Sequence, residues 1–326
     1  MIKENSETPY ENLNPDMILA AMESIGLDCN GSMIALNSYE NRVYQMGMND
    51  ADPVIVKFYR PKRWSDAAIL EEHQFAAELL GQEIPVVAPF VIHDKTLHHF
   101  NEFRFAVFKR QGGRALELDN LQQLEWMGRF IGRLHAVGSC RPFQHRHVLS
   151  LDYFGFSSFH FLIENNFIPD YLKQKFSNTV TTLLNKIETI FQQAGEIRRI
   201  RLHGDCHPGN VLWRDSGPHI VDLDDCMMGP AIQDVWMLLS GNKMEMEMQL
   251  DKILRGYNEF HDFNYRELHL IESLRTLRML YYSAWLARRW QDPAFPMNFP
   301  WFNTAHYWQE QLNNLSDQVY LLDEEE

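Results

Sequence analysis

Between His203 and Asp225 the chain reads His-Gly-Asp-Cys-His-Pro-Gly-Asn and then, after a short apolar stretch, Val-Asp-Leu-Asp-Asp. These residues bring together carboxylates, an amide oxygen and two imidazoles, the side chains that handle phosphate and a hard divalent cation. Phosphoryl transfer demands little covalent chemistry of a protein. Two reactants must be positioned, oxygen charges neutralised and an attacking hydroxyl oriented. Asp205 and Asn210 stand five apart, as do the Asp and Asn of the kinase catalytic loop, and Asp222 falls where a kinase places its metal-binding Asp. Asp205 is therefore assigned to the acceptor hydroxyl. Asn210 and Asp222 are assigned to Mg²⁺, which prefers oxygen ligands and keeps several waters. The pattern is that of an ATP-dependent phosphotransferase.

The same residues admit other readings. His203, His207, Asp205 and Asp222 are also the donor types of a transition-metal hydrolase. Asp215, Asp224 and Asp225 can be loop carboxylates facing water, the preferred reading for Asp215, while Asp224 stays open as a second metal contact. His203 is expected to brace the loop through backbone hydrogen bonds, and His207 has no assigned role.

Several elements must position this loop. Pro218–Val221 reads as a buried strand leading into Asp222, and Gly204, Pro208 and Gly209 permit a tight turn before it. A phosphate-holding lysine is required upstream, with an acidic partner on a nearby helix. Val54-Ile55-Val56-Lys57-Phe58-Tyr59 is a β-branched and aromatic run with Lys57 in its middle, and a lysine buried there needs a partner. Taken alone, Lys57 would read as an edge-strand lysine that guards against aggregation. The spacing of Ile69, Phe75, Ala76, Leu79 and Leu80 predicts a helix over 67–80, on which Glu72 shares the inward row with Phe75, Ala76 and Leu79. Glu72 is the expected partner of Lys57, with Glu71 as the alternative.

The turn Leu36-Asn37-Ser38-Tyr39-Glu40-Asn41 precedes the lysine strand and lacks a G-x-G-x-x-G pattern. Phosphate contact therefore falls to Ser38 and to backbone N–H groups of the Ser38–Asn41 turn. A strand pair is expected around Val86–Ile92 and Phe103–Phe108. The polar connector Lys109–Gly113 follows, with adenine against the backbone near Phe108–Arg110. The organisation predicted is an α+β, bilobal, protein-kinase-like fold, with a small mixed-sheet lobe over 1–108, a hinge over 109–113 and a larger, mostly helical lobe over 114–326. Helices are expected over 15–25, 121–137 (Asn120 as N-cap, Gly138 as stop), 171–193, 232–239, 247–257, 267–289 and 307–315. His135 lies on an apolar face and reads as a core histidine.

At 326 residues and 45% hydrophobic content the chain can bury large cores. Thirty basic against 44 acidic residues give a net charge of −14, which disfavours nucleic acid and anionic membranes as partners. The opening residues lack the apolar core of a signal peptide, and no apolar run approaches the roughly 18 residues needed to cross a bilayer, so a cytoplasmic protein is expected. The four cysteines, Cys29, Cys140, Cys206 and Cys226, form no C-x-x-C and read as reduced thiols.

Longer stretches of the chain resemble the stress response kinase A family of bacteria (the RdoA or YihE proteins), a branch of the aminoglycoside phosphotransferase and choline kinase-like superfamily. The resemblance is nearly full length. It is carried by 36–44 (Leu-Asn-Ser-Tyr-Glu-Asn-Arg-Val-Tyr), 56–61 (Val-Lys-Phe-Tyr-Arg-Pro), 71–76 (Glu-Glu-His-Gln-Phe-Ala), 202–207, 221–225 and 292–296 (Asp-Pro-Ala-Phe-Pro). It implies a cytoplasmic, monomeric serine/threonine protein kinase that takes ATP and Mg²⁺ and acts in survival under stress. By position it implies Asp205 as catalytic, Asn210 and Asp222 as magnesium ligands, and Ser38 as an ATP contact.

Substrate class divides the two lines of reasoning. Only eleven residues separate Asp222 from Asp234, where Asp234 is expected to open a helix, so a long peptide-binding activation segment has no room. Residues alone suggest a small-molecule alcohol or amine as acceptor, with Tyr281, Tyr282, Trp285, Phe295, Phe299, Trp301 and Phe302 as a candidate aromatic lining. The stronger reading of that aromatic density is a packed core. The family resemblance favours a Ser or Thr hydroxyl on a protein. A nucleotide-sensing pseudokinase that acts through partners is the non-enzymatic alternative.

Overall fold

β-Branched and aromatic runs in the first third of the chain form an antiparallel sheet, and the helical periodicities that follow fold largely as helices. The computed structural model describes residues 9–323. Its elements are, in chain order, α1 (Pro15–Ser24), β1 (Cys29–Ala35), β2 (Arg42–Met48), β3 (Val54–Phe58), α2 (Asp66–Gly81), β4 (His98–Phe100), β5 (Phe103–Lys109) and α3 (Leu121–Gly138). Then come α4 (Ser157–Glu164), α5 (Asp170–Gln193), β6 (Ile200–Leu202), β7 (Val211–Arg214), β8 (Gly217–Ile220) and β9 (Met227–Gly229). Helices α6 (Ile232–Trp236), α7 (Lys243–Tyr257), α8 (Ile271–Arg288), α9 (Ala294–Asn298) and α10 (Ala305–Asp323) complete the chain. Two compact units result. One contains residues up to His147, Ile200–Met228 and Met237–Phe263; the other contains Val148–Arg199, Gly229–Trp236 and the residues from Asn264 onward.

In the first unit, five antiparallel strands pair in the order β1-β2-β3-β5-β4. β3 is central, and Lys57 is paired with Val43 on one side and Ala106 on the other. It is therefore not an edge lysine. Because side chains alternate across a strand, Val54, Val56 and Phe58 pack with Ile18, Ala21 and Met22 of α1. Lys57 takes the opposite face, where Tyr59 and Ala106 meet Ile69 of α2. Helix α2 starts at Ser65, whose side chain accepts from the Ala68 N–H, and it buries Ile69, Glu72, Phe75, Ala76 and Leu79. Leu80 falls outside this row and is exposed.

The strand expected at Val86–Ile92 does not form. Pro85 and Pro89 interrupt it, and a proline cannot donate to a ladder. Isolated bridges remain there, Val86 to Ile220, Pro89 to Phe108 and Ile92 to Lys95, and β5 pairs with β4 instead.

Helices α3 and α7 approach backbone to backbone. A Cβ on Gly128 would collide with the Ile253 carbonyl, and one on Gly256 with the Glu125 carbonyl. Asn120 caps α3 by accepting from the Gln123 N–H. Gly138 lies inside the helix rather than after it. It is the helix's last residue, with Ser139 as C-cap, and it is glycine because a side chain there would strike the Arg201 carbonyl on β6. His135 is fully buried and its Nδ1 lies 3.0 Å from the Tyr257 hydroxyl. This packing seats β6, the strand that enters the His203–Asn210 loop.

The second unit is helical, and part of its aromatic density forms core, while Tyr282 and Trp301 are exposed. Phe295, Phe302 and Trp308 are buried, and Phe154 packs on Tyr281 at 4.4 Å between ring centroids. Helix α6 starts at Ile232 rather than at Asp234, and its first N–H is met by the Glu267 carboxylate at 2.9 Å. In the first unit, helix α7 begins earlier than its apolar spacing suggested, because Asn242 and Glu245 make a capping box. Helix α10 extends to Asp323. Among the described residues, no helix is long and apolar enough to cross a membrane.

Candidate active site

The loop after β6 is shaped by its own side chains and by one glycine. Gly204 has φ +85°, and a Cβ there would clash with the Asp225 carbonyl, so glycine is required both for the backbone conformation and for close contact with the following loop. His203 is fully buried. Its Nε2 lies 3.0 Å from the Val221 carbonyl, and its Nδ1 accepts the Asp205 N–H at 3.3 Å. It therefore braces the loop through backbone contacts. With both ring nitrogens so engaged, the four donors proposed for a transition-metal site are not gathered, and no group of three or more His, Cys, Asp or Glu side chains is placed to hold a metal among the described residues. His207 accepts the Gly209 N–H, and its Nε2 stands 3.5 Å from Asp205 Oδ2.

Asn210 and Asp222 flank the open end of one hairpin. β7 and β8 pair from Arg214–Gly217 back to Val211–Ile220, and the Val221 N–H then donates to the Asn210 carbonyl at 3.1 Å. The Asn210 Nδ2 donates to the Asp205 carbonyl at 3.0 Å, which leaves its amide oxygen as the atom able to meet a cation. Asp222 adopts a left-handed conformation, φ 61° and ψ 69°, and its carboxylate is 52% exposed. The donor set is oxygen only, one amide and one accessible carboxylate. That suits a hard ion whose remaining ligands are phosphate oxygens and water.

The Lys57 ammonium lies 3.1 Å from Asp222 Oδ1, 3.1 Å from Asp224 Oδ1 and 3.5 Å from Glu72 Oε1. Burial opposes its charge, but Asp222, Asp224 and Glu72 together hold its pKa well above the ordinary lysine value, so the amine is protonated. Burial pushes the Glu72 carboxyl up to about 7, against the pull of Lys57. Glu71 does different work: its two oxygens accept the backbone N–H groups of Gln144 and His145.

Asp224, left open in the sequence reading, is 2% exposed. Burial would raise its pKa, yet Arg63, Lys57 and Arg146 overcome this and keep it below the usual carboxylate range. Arg63 bridges Asp224 and Asp225. Arg146, with its side chain buried, donates to the Asp224 and Cys226 carbonyls and lies over the Trp64 ring. Asn41, also buried, donates from Nδ2 to Asp224 Oδ2 at 3.1 Å. Ser38 Oγ donates to the Asn41 carbonyl at 3.2 Å, so a hydrogen-bonded chain links the Ser38–Asn41 turn to the loop after Asp222. Asn41, Arg63 and Arg146 were not singled out from sequence. Their signal was indirect, since the crowd of carboxylates at 222–225 needs counter-charges once it is buried.

The connector after β5 runs onto the hairpin. Arg114 and Trp213 exchange two backbone hydrogen bonds of 2.9 and 2.8 Å, and Gly113 packs against Leu212 where a Cβ would not fit.

The fold matches solved structures across most of its length. An amicoumacin kinase, hAmiN, in complex with AMP-PNP, Ca²⁺ and Ami superposes with a TM-score of 0.71 at 19% identity, covering 95% of this chain and 93% of that one. Fold and site together define a phosphotransferase of the bilobal, α+β, kinase-like class. Stress response kinase A of Escherichia coli O157:H7 is 45% identical over 320 residues, 98% of this chain and 97% of that protein. A protein of Salmonella typhimurium named serine/threonine protein kinase RdoA is 45% identical over 315 residues, 97% and 95% of the two chains. The model of the phosphotransferase enzyme family matches residues 33–271. This chain belongs to that family, in its stress response kinase A branch.

Proposed function

We propose that the chain is an ATP-dependent serine/threonine protein kinase, with Lys57 on the nucleotide phosphates, Glu72 holding Lys57, Asn210 and Asp222 as Mg²⁺ ligands, and Asp205 orienting the acceptor hydroxyl. The observation that carries this reading is the single cluster in which the central-strand lysine, its helix glutamate and the carboxylate after β8 lie within 3.5 Å of the same ammonium. Asn210 and Asp222 would hold the ion, which would supply charge neutralisation at the phosphate oxygens. Lys57, held by the buried Glu72 and Asp224, would offer its third donor to phosphate. Asp205, on a loop fixed by His203 and Asn210, accepts the proton of a hydroxyl placed against it. Ser38 and the turn N–H groups cover the phosphates. Residues 1–108 form the nucleotide-covering lobe, 109–113 the hinge that meets adenine, and 114–326 the helical lobe. The protein acts as a cytosolic monomer in a stress response, and the name of the Salmonella relative supports the protein acceptor.

Asp205→Ala should leave folding and ATP binding intact and lower phosphate transfer by about 10²–10⁴-fold. Phosphosite mass spectrometry after incubating wild-type and variant protein with ATP, magnesium and a cell extract tests activity and acceptor class together. Equal labelling by both proteins would remove Asp205 from the mechanism. The amicoumacin ligand of the structural neighbour favours a second reading, a small-molecule alcohol or amine acceptor. ATP consumption with such compounds, but with no protein extract, would select it.

A further inference from the structure

The Ser38–Asn41 turn has none of the glycines that let a backbone wrap around phosphates, so something else must fix its position. The side chain of Asn41 is buried and fully engaged, with Oδ1 accepting the Arg60 N–H at 3.1 Å and Nδ2 donating to Asp224 at 3.1 Å. The Asp224 carboxylate therefore meets two phosphate-side groups at once: Lys57 through Oδ1 and Asn41 through Oδ2. Arg63 completes it from the segment after β3, and Glu40, the neighbour of Asn41 in the same turn, lies 3.6–3.7 Å from Arg60 and Arg63. The Asn41 carbonyl in turn receives the Ser38 hydroxyl. Residues far apart in sequence thus converge on one buried anion.

We propose that Asp224 is a positioning residue: its carboxylate ties the Ser38–Asn41 turn, through Asn41, to the ammonium of Lys57, setting the distance between the two groups that receive the nucleotide phosphates. The hydrogen bond does the task that glycine-exposed backbone does elsewhere, and Arg63 neutralises the carboxylate so that it does not repel phosphate. This inference rests on the nucleotide reading of the site.

The test is a double-mutant cycle on ADP binding, measured by calorimetry with and without magnesium, with thermal midpoints recorded for every variant. Removing the Asp224 charge changes the field felt by any anion, and the cycle cancels that contribution. Asn41→Ala should weaken ADP binding by about tenfold or more, as expected for one lost hydrogen bond to a charged group. In the Asp224→Ala background, where no acceptor is left for Asn41, the same change should cost less than about twofold. The effect should appear without metal, which separates positioning from metal ligation. In turnover assays Asn41→Ala should raise the KM for ATP and leave that for the acceptor unchanged. If Asp224→Ala does not fold, Asn41→Asp replaces it. A carboxylate facing Asp224 should weaken ADP binding more than alanine does. Equal cost of Asn41→Ala in both backgrounds, no cost in the wild type, or wild-type affinity in Asn41→Asp would overturn the proposal. Absence of ADP binding in the wild type would instead refute the nucleotide reading beneath it.

Discussion

Replacing Lys57 by methionine keeps most of the side-chain volume and removes the cation that Glu72, Asp222 and Asp224 all face. Deleting one partner of a buried ion pair costs about 3–5 kcal/mol, because a charge is left without compensation. Two features push the value to the lower end. Arg63 and Arg146 remain beside Asp224 and Glu72, and the half-exposed Asp222 carboxylate is solvated and contributes little. A loss of about 3 kcal/mol at weakly alkaline pH is expected, lowering the thermal midpoint by about 6–12 °C in a unit of this size. The pH dependence gives a sharper check. Burial raises the Glu72 carboxyl to about 7 while Lys57 pulls it down, so removing Lys57 raises it further. A group whose folded pKa is raised contributes stability below its unfolded value and loses it as pH rises through the folded value. The deficit of Lys57→Met should therefore be smallest near about pH 5 and widen toward about pH 8. Thermal unfolding of both proteins across that range, followed by ATP turnover at neutral pH, makes the measurement. A deficit that stays flat with pH, or a variant as stable as wild type at about pH 8, would refute the assignment of Lys57 and Glu72 as a buried charge pair.

Other perturbations test other parts of the structure. Gly128→Ala drives a methyl into the Ile253 carbonyl across the α3–α7 contact, and overpacking of this kind costs about 1–3 kcal/mol or more, visible as a lower denaturant midpoint with unchanged slope. Asn210→Ala removes the amide oxygen beside Asp222 and should raise the magnesium concentration needed for half-maximal turnover by about tenfold or more. A metal titration unchanged from wild type would exclude Asn210 from the ion.

Much of this arrangement was legible in the chain because its signals are local. A lysine inside a β-branched run, a glutamate in an inward helical row, and an Asp and Asn at fixed spacing each occupy a short window. Other features were hidden for physical reasons. The Asn41–Asp224 hydrogen bond joins residues 183 positions apart, and no periodicity reports a pairing made only by tertiary folding. Val86–Ile92 has strand-like composition, yet its prolines decide the outcome. Gly138 looks like a helix stop because glycine is common there, but its role is set by Arg201 on a strand that enters more than 60 residues later. Asp224 stays open between a water-facing carboxylate and a metal contact in the sequence, because the cations that enclose it, Arg63, Lys57 and Arg146, come from distant segments.

Under the metal-binding role proposed for Asp222, its left-handed backbone sets stability and activity against each other. A side chain held at φ 61° disfavours the native state by about 1 kcal/mol relative to glycine, so glycine is the residue that would make the fold more robust. Yet glycine carries no carboxylate. A laboratory selection that rewarded heat resistance alone would thus be drawn at this codon toward a sturdier chain with no phosphate chemistry left in it.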